Sequence, residues 1–196
     1  QNGAWQGELY NRRKSGEMYP EWLSISAARN NDGQVLSYVA MFTDVSRLLR
    51  AEKRLAYLAH FDTLTGLPNR HLFEDRLEQA LASGKRSGTV FTLIFIDLDD
   101  FKKINDLYGH HAGDQVLQVA GKRLQASIRE IDTVARLGGD EFVIIAPGLN
   151  GKDDIARVCL KAIEALVQPI DLEGREVKIG GSFGCTQYPH DGEDGT

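Results

Sequence analysis

The stretch ARLGGDEFVII, residues 135–145, joins two hydrophobic runs through Gly138-Gly139 and sets Asp140 and Glu141 directly after the turn. The pattern predicts a β-hairpin, because paired glycines permit the positive φ angles of a tight connection. Adjacent carboxylates at its tip repel each other and stabilise nothing alone. They call for a partner elsewhere in the chain.

A second acidic site lies upstream. TVFTLIFID, residues 89–97, is a continuous apolar run ending in acid, which predicts a central strand with Asp97 emerging at its end, where α/β sheets place ligands. If the two strands share a sheet, two or three carboxylates converge at its edge. Hard oxygen donors so placed suit magnesium and, through it, phosphate. The bland alternative for the turn is a solvated Gly-Gly-Asp loop.

In the continuation DLDDFKKINDLYGHHAGD, residues 97–114, either Lys102 or Lys103 can reach a bound phosphate, leaving the other exposed. The Asn105 amide can pair with guanine O6, and the Asp114 carboxylate can accept from guanine N1–H and N2–H. Both residues have a second reading as helix caps. His110 and His111 lack a suitably spaced metal-ligand cluster and read as surface residues at a helix start. No GxxxxGK[ST] loop, post-strand GxGxxG or GxSxG elbow occurs, so phosphate recognition falls to the acids, backbone amides and scattered lysines.

Residues 1–46 alternate polar and apolar positions, with turn signals at Lys14-Ser15-Gly16 and Asn30-Asn31-Asp32-Gly33, and predict three antiparallel strands. Three short strands need a cover for their apolar face, so this region reads as part of a domain. From Asp44 the period changes. In DVSRLLRAEKRLAYLAHF, Asp44 or Ser46 can cap a helix whose stripe is Leu48, Ala51, Leu55, Leu58 and Phe61. Beyond it DTLTGLPNR, residues 62–70, reads as a turn. Helices are expected over 71–83, 112–129 and 152–167, with hairpins over 133–146 and 170–188, the latter turning at Glu173-Gly174. The result is an α/β sheet covered by helices.

The net charge of −5 has its signs interspersed, which argues against a nucleic-acid partner. No run of about 18 apolar residues occurs. Cys159 and Cys185 lack a Cys-x-x-Cys arrangement and read as buried free thiols.

DTLTGLPNR, DLDDFKKINDLYGHHAGD and RLGGDEF, in this order, closely resemble the GGDEF family of diguanylate cyclases over about residues 60–196. WQGELYNRRKSGE and the closing FTDVS resemble the C-terminal half of a PAS sensor domain. The implied organisation is a partial PAS domain over 1–46, a helical signalling linker over 47–61 and a GGDEF domain over 62–196. The implied fold is nucleotidyl-cyclase-like: a central, mostly antiparallel sheet covered by helices, with a partial antiparallel PAS sheet at the N-terminus.

The resemblance implies condensation of two GTP into cyclic di-GMP and two pyrophosphates by a homodimer, with Mg2+ or Mn2+ as cofactor. It makes Asp97, Asp140, Glu141 and the Leu98 carbonyl metal ligands, with Glu141 a candidate for activating the 3′-hydroxyl. Phe101 and Lys102 contact phosphates, Asn105 and Asp114 read guanine, and Gly139 lies against the nucleotide. Arg129 and Asp132 fit the product-inhibition RxxD, with Arg129 on the product's guanine or phosphate and Asp132 accepting from its base. Read from spacing alone, the pair would be a weak ion pair three residues apart on a helix surface.

The sequence stops after SFGCTQYPHDGEDGT, before a helix that supplies relatives with a lysine and an arginine for the triphosphate. A chain without that helix is expected to bind nucleotide weakly or to be inactive. Two other readings stand beside the cyclase: a silent GTP-binding regulatory domain preceding an EAL phosphodiesterase domain, and a dimerisation platform. The expected setting is the bacterial cytoplasm, with membrane attachment of a longer parent left open.

Overall fold

The computed structural model describes residues 3–192 and falls into two compact units, Gln1–Tyr57 and Leu58–Thr196. In the first, β1 (Ala4–Arg12), β2 (Met18–Arg29) and β3 (Val35–Asp44) form an antiparallel sheet with β2 in the middle. The expected turns form it. Gly16 and Gly33 take positive φ, and the Asn30 side-chain oxygen accepts from the amides of Asp32 and Gln34. β3 is exposed along its whole length. Helix α1 (Ser46–His60) follows, and of the two capping candidates it is Asp44 whose carboxylate accepts from the Ser46 amide at 2.9 Å. None of its residues is buried.

The second unit contains α2 (Arg70–Ser87), β4 (Phe91–Leu98), α3 (Phe101–Tyr108), α4 (His110–Ser127), β5 (Thr133–Gly138), β6 (Glu141–Pro147), α5 (Lys152–Leu166), β7 (Ile170–Leu172), β8 (Arg175–Val177) and β9 (Gly181–Tyr188). Its four-stranded sheet runs β5-β6-β4-β9, each neighbouring pair antiparallel. β4 is internal, as its unbroken apolar run requires.

Alternation divides the strands' side chains between two cores. Ile94, Ile96 and Leu98 of β4 join Phe142 and Ile144 of β6 against α4 and α5. Phe91, Val143 and Ile145 face the other way, against Phe73 and Leu77 of α2. Asn69 caps α2, accepting from the Leu72 amide, and Gly88 ends it in the left-handed region.

One helix was not anticipated and one expected hairpin fails. Residues 101–108 form a helix of their own, separated from α4 only by Gly109 at φ 83°. The hairpin expected over 170–188 is two things: β7 and β8 turn at Glu173-Gly174 and make a separate two-stranded sheet, while β9 crosses to pair with β4. The break falls at Gly180-Gly181, where a Cβ on Gly180 would come within 2.8 Å of the Asp99 carboxylate.

The cysteines also depart from expectation. Cys159 is half-buried and Cys185 exposed, their sulfurs hydrogen-bonded at 3.5 Å with no disulfide between them. Desolvation and the facing sulfur push the Cys159 thiol up to about 12. Among the described residues, no helix is long and apolar enough to cross a membrane.

Candidate functional site

Register brings the acids together. Asp97, next to last in β4, lies opposite Glu141 on β6 and Ser182 on β9, and the Leu98 amide donates to the Asp140 carbonyl at 3.3 Å. Asp97, Asp140 and Glu141 therefore share one end of the sheet. Sequence reasoning missed a fourth carboxylate, Asp99, which accepts from Ser182 Oγ at 2.7 Å. The Asp97 carboxyl is raised above its ordinary value by desolvation, then by the charges of Asp140, Glu141 and Asp99. A cleft of about 400 Å³ opens beside them, with Asp97, Glu141, Ser182 and Phe183 in its wall. The donors are carboxylate oxygens, the chemistry a hard dication takes.

The hairpin tip is built to a fixed shape. Gly138 and Gly139 have φ of 150° and 52°, and the β5–β6 register shifts between Arg136 and Gly138. Arg136 closes the turn from below: its Nε and one terminal nitrogen donate to the Gly139 carbonyl at 3.0 and 2.7 Å. Its other nitrogen donates to both oxygens of Asp62, at 3.1 and 3.2 Å.

Asp62 also accepts from the Thr65 amide and hydroxyl, and the Arg136 amide donates to the Pro68 carbonyl. DTLTGLPNR is thus a brace for the hairpin as well as a turn. Desolvation pulls the Asp62 carboxyl upward, but the Thr65 and Arg136 contacts outweigh it and leave it below its usual value.

Helices α3 and α4 carry the remaining residues. The first helical hydrogen bonds of α3 run from Lys103 and Ile104 to the Asp100 carbonyl, so the amides of Phe101 and Lys102 precede them at the helix start. Lys102 is exposed, and Lys103 pairs with Asp100 at 2.7 Å. Asn105 lies within α3 and Asp114 is the fifth residue of α4, so neither caps a helix. Gly113 is a position that sequence reasoning missed. A Cβ there would stand 2.0 Å from Asn105 Oδ1, so only glycine lets Asn105 sit beside Asp114's turn of helix.

Arg129 and Asp132 are not on a helix surface. They occupy the turn between α4 and β5, with the Asp132 amide bonded to the Arg129 carbonyl. The Asp132 side chain is 1% exposed and accepts from the Arg129 amide, Nε and a terminal nitrogen at 2.8–3.1 Å. Both its oxygens are engaged by Arg129, which is half-exposed and is the outward partner of the two. His110 and His111 belong to no metal-ligand group among the described residues, but His60, His71 and Asp75 place three ligand atoms within 4.8 Å of one another.

Two substitutions test this geometry. Because folding depresses the Asp62 carboxyl, its contribution is complete above the unfolded value of about 4 and fades as pH falls through the folded one. Asp62→Asn should cost about 2 kcal/mol at pH 7 in urea unfolding, with the gap to wild type narrowing below about pH 4. Gly113→Ala should leave the fold's circular dichroism intact while weakening GTP binding through displacement of Asn105; equal affinity would remove Asn105 from the site.

Comparison with known proteins follows the same boundaries. The family model "Diguanylate cyclase, GGDEF domain" matches residues 59–196. The bifunctional diguanylate cyclase/cyclic di-GMP phosphodiesterase MucR of Pseudomonas aeruginosa is 44% identical over 146 residues, covering 74% of this chain and 21% of MucR. The diguanylate cyclase TpbB of the same species is 41% identical over 145 residues, covering 74% of this chain and 33% of TpbB. The chain therefore spans a third or less of these relatives' length.

Among solved structures, the coiled coil and GGDEF domain of DgcB from Caulobacter crescentus, in complex with c-di-GMP, superposes with a TM-score of 0.67 at 27% identity. It covers 76% of this chain and 80% of that one. With the family model matching residues 59–196, the chain belongs to the GGDEF family of cyclic di-GMP signalling proteins.

Proposed function

We propose that this chain is the catalytic and regulatory core of a diguanylate cyclase, condensing two GTP into cyclic di-GMP and two pyrophosphates. The observation that carries the reading is the convergence of Asp97, Asp140 and Glu141 on one sheet end, their charges unfavourable to one another. Asp97, Asp140 and the Leu98 carbonyl would hold Mg2+ or Mn2+, with Glu141 beside them. A cation held by these residues would supply a lowered pKa for the ribose 3′-hydroxyl and compensation of charge on the α-phosphoryl group.

The chain's own groups do the rest. The Phe101 and Lys102 amides, with the Lys102 ammonium, orient the phosphates. Asn105 and Asp114 select guanine, and Gly139 lets the nucleotide lie close to the backbone. Glu141 is the acceptor for the hydroxyl proton as the oxygen attacks the partner's α-phosphate and pyrophosphate leaves. Each subunit presents one GTP, so cyclisation requires an antiparallel homodimer, and a monomer binds GTP without turning it over.

Arg129 serves as the contact for inhibitory product, with Asp132 holding its guanidinium. Residues 1–46 fit a PAS-type sensor, supported by the three-stranded antiparallel sheet, with α1 as the signalling helix. A second reading, a catalytically silent GTP-binding domain regulating an EAL phosphodiesterase, draws on the likeness to MucR, whose name includes both activities.

Chromatography of purified protein incubated with GTP and Mg2+ separates the two. Cyclic di-GMP formed by wild type and absent with Asp140→Ala supports the cyclase. GTP bound but no product at high protein concentration rejects it in favour of the regulatory domain.

A further inference from the structure

His60 closes α1 under unusual constraint. The Asn69 amide donates to its carbonyl at 2.9 Å, the Asn69 side chain donates to the Ala59 carbonyl at 3.0 Å, and the next residue, Phe61, bridges to Pro68. The backbone is thereby tied to the start of α2. Its ring nitrogen Nδ1 is buried with no hydrogen-bond partner. A buried polar atom left unpaired costs about 1–3 kcal/mol, so the protein either tolerates that loss or satisfies the nitrogen with something else.

What faces His60 is a donor set. His71 and Asp75 stand one helical turn apart on α2, on the same side of the helix. The His60 and His71 rings stack, centroids 5.6 Å apart and planes 11° from parallel. One ligand atom from each of the three residues lies within 4.8 Å of the others. Ligands about 2.0–2.1 Å from a tetrahedral zinc are about 3.3 Å from one another, a contraction that rotation of the exposed His71 side chain can begin. Two imidazole nitrogens and a carboxylate oxygen favour zinc, nickel or cobalt over magnesium.

We infer that His60, His71 and Asp75 form a transition-metal site, taking Zn2+ or a chemically similar dication, separate from the carboxylates at the sheet end. All three ligands belong to the second compact unit. The ion would pair the orphaned His60 nitrogen and clamp the last turn of α1 to α2. Since α1 begins in the first unit and ends at His60, the clamp acts on the segment joining the two. The inference stands whether or not the domain cyclises GTP, since none of these residues is assigned to the nucleotide.

The test is calorimetric titration of the metal-free full chain with Zn2+, with Co2+ absorption and thermal unfolding as parallel readouts. One Zn2+ per chain is expected, insensitive to excess Mg2+, with a visible Co2+ band of low-coordinate geometry and a raised unfolding temperature. His71→Ala and Asp75→Asn, both at accessible positions, should each weaken binding by at least the roughly 10–100-fold that loss of an outer-sphere partner costs. Asp97→Asn should leave it unchanged. Absence of Zn2+ binding, equal affinity in His71→Ala, or loss of binding in Asp97→Asn instead would overturn the assignment.

Discussion

Arg136 is the residue on which the site's geometry rests. One guanidinium holds the Gly139 carbonyl on one side and the Asp62 carboxylate on the other, joining the hairpin tip to a loop 74 residues earlier. The pair is well shielded, with side-chain exposures of 11% and 22%, so breaking either half strands a charge in a poorly solvated place. This fixed contact is what permits the two glycines, each at positive φ, to hold one shape.

That shape matters because the acids it presents oppose folding. Asp97, Asp140, Glu141 and Asp99 crowd one end of the sheet, where desolvation, followed by the neighbouring charges, raises the Asp97 carboxyl above its ordinary value. The sheet carries the cost because its interior is dense: Ile94, Ile144, Phe142 and Val143 are fully buried between helices on its two faces. A rigid scaffold with a repulsive tip is the arrangement that the proposed cation site calls for. Charge is already in place, and little rearrangement remains when the counter-ion arrives.

Much of this was legible in the sequence. The apolar run ending at Asp97 implied an internal strand, and the Gly-Gly turn implied the hairpin. Local readings failed where a tertiary neighbour decided the outcome. Helix α3 opens with Asp100 in the left-handed region and lasts eight residues, too short for a clear period. Asp114 resembled a cap because it stands close to the expected helix start at residue 112, whereas α4 begins at His110 and places it well inside the first turns. Gly180-Gly181 was overlooked as the break that sends β9 to the far side of β4.

The Asp62–Arg136 bridge and the grouping of His60 with His71 and Asp75 depend on chain folding across long or irregular separations, which periodicity does not encode. A histidine and an aspartate four apart on a predicted helix were the one visible hint of the latter. Arg129 and Asp132 show the converse: their spacing was visible, but only the fold reveals that Asp132 is buried beneath Arg129.

The most direct test of the account is Mg2+-dependent GTP binding, measured calorimetrically for wild type, Arg136→Ala, Asp62→Asn and the double variant at a temperature where all are folded. If the clamp presents the acids, the single variants bind more weakly and the double variant loses less than the sum of the two, because both act through one contact. Unchanged affinity in Arg136→Ala, or losses that simply add, would contradict it.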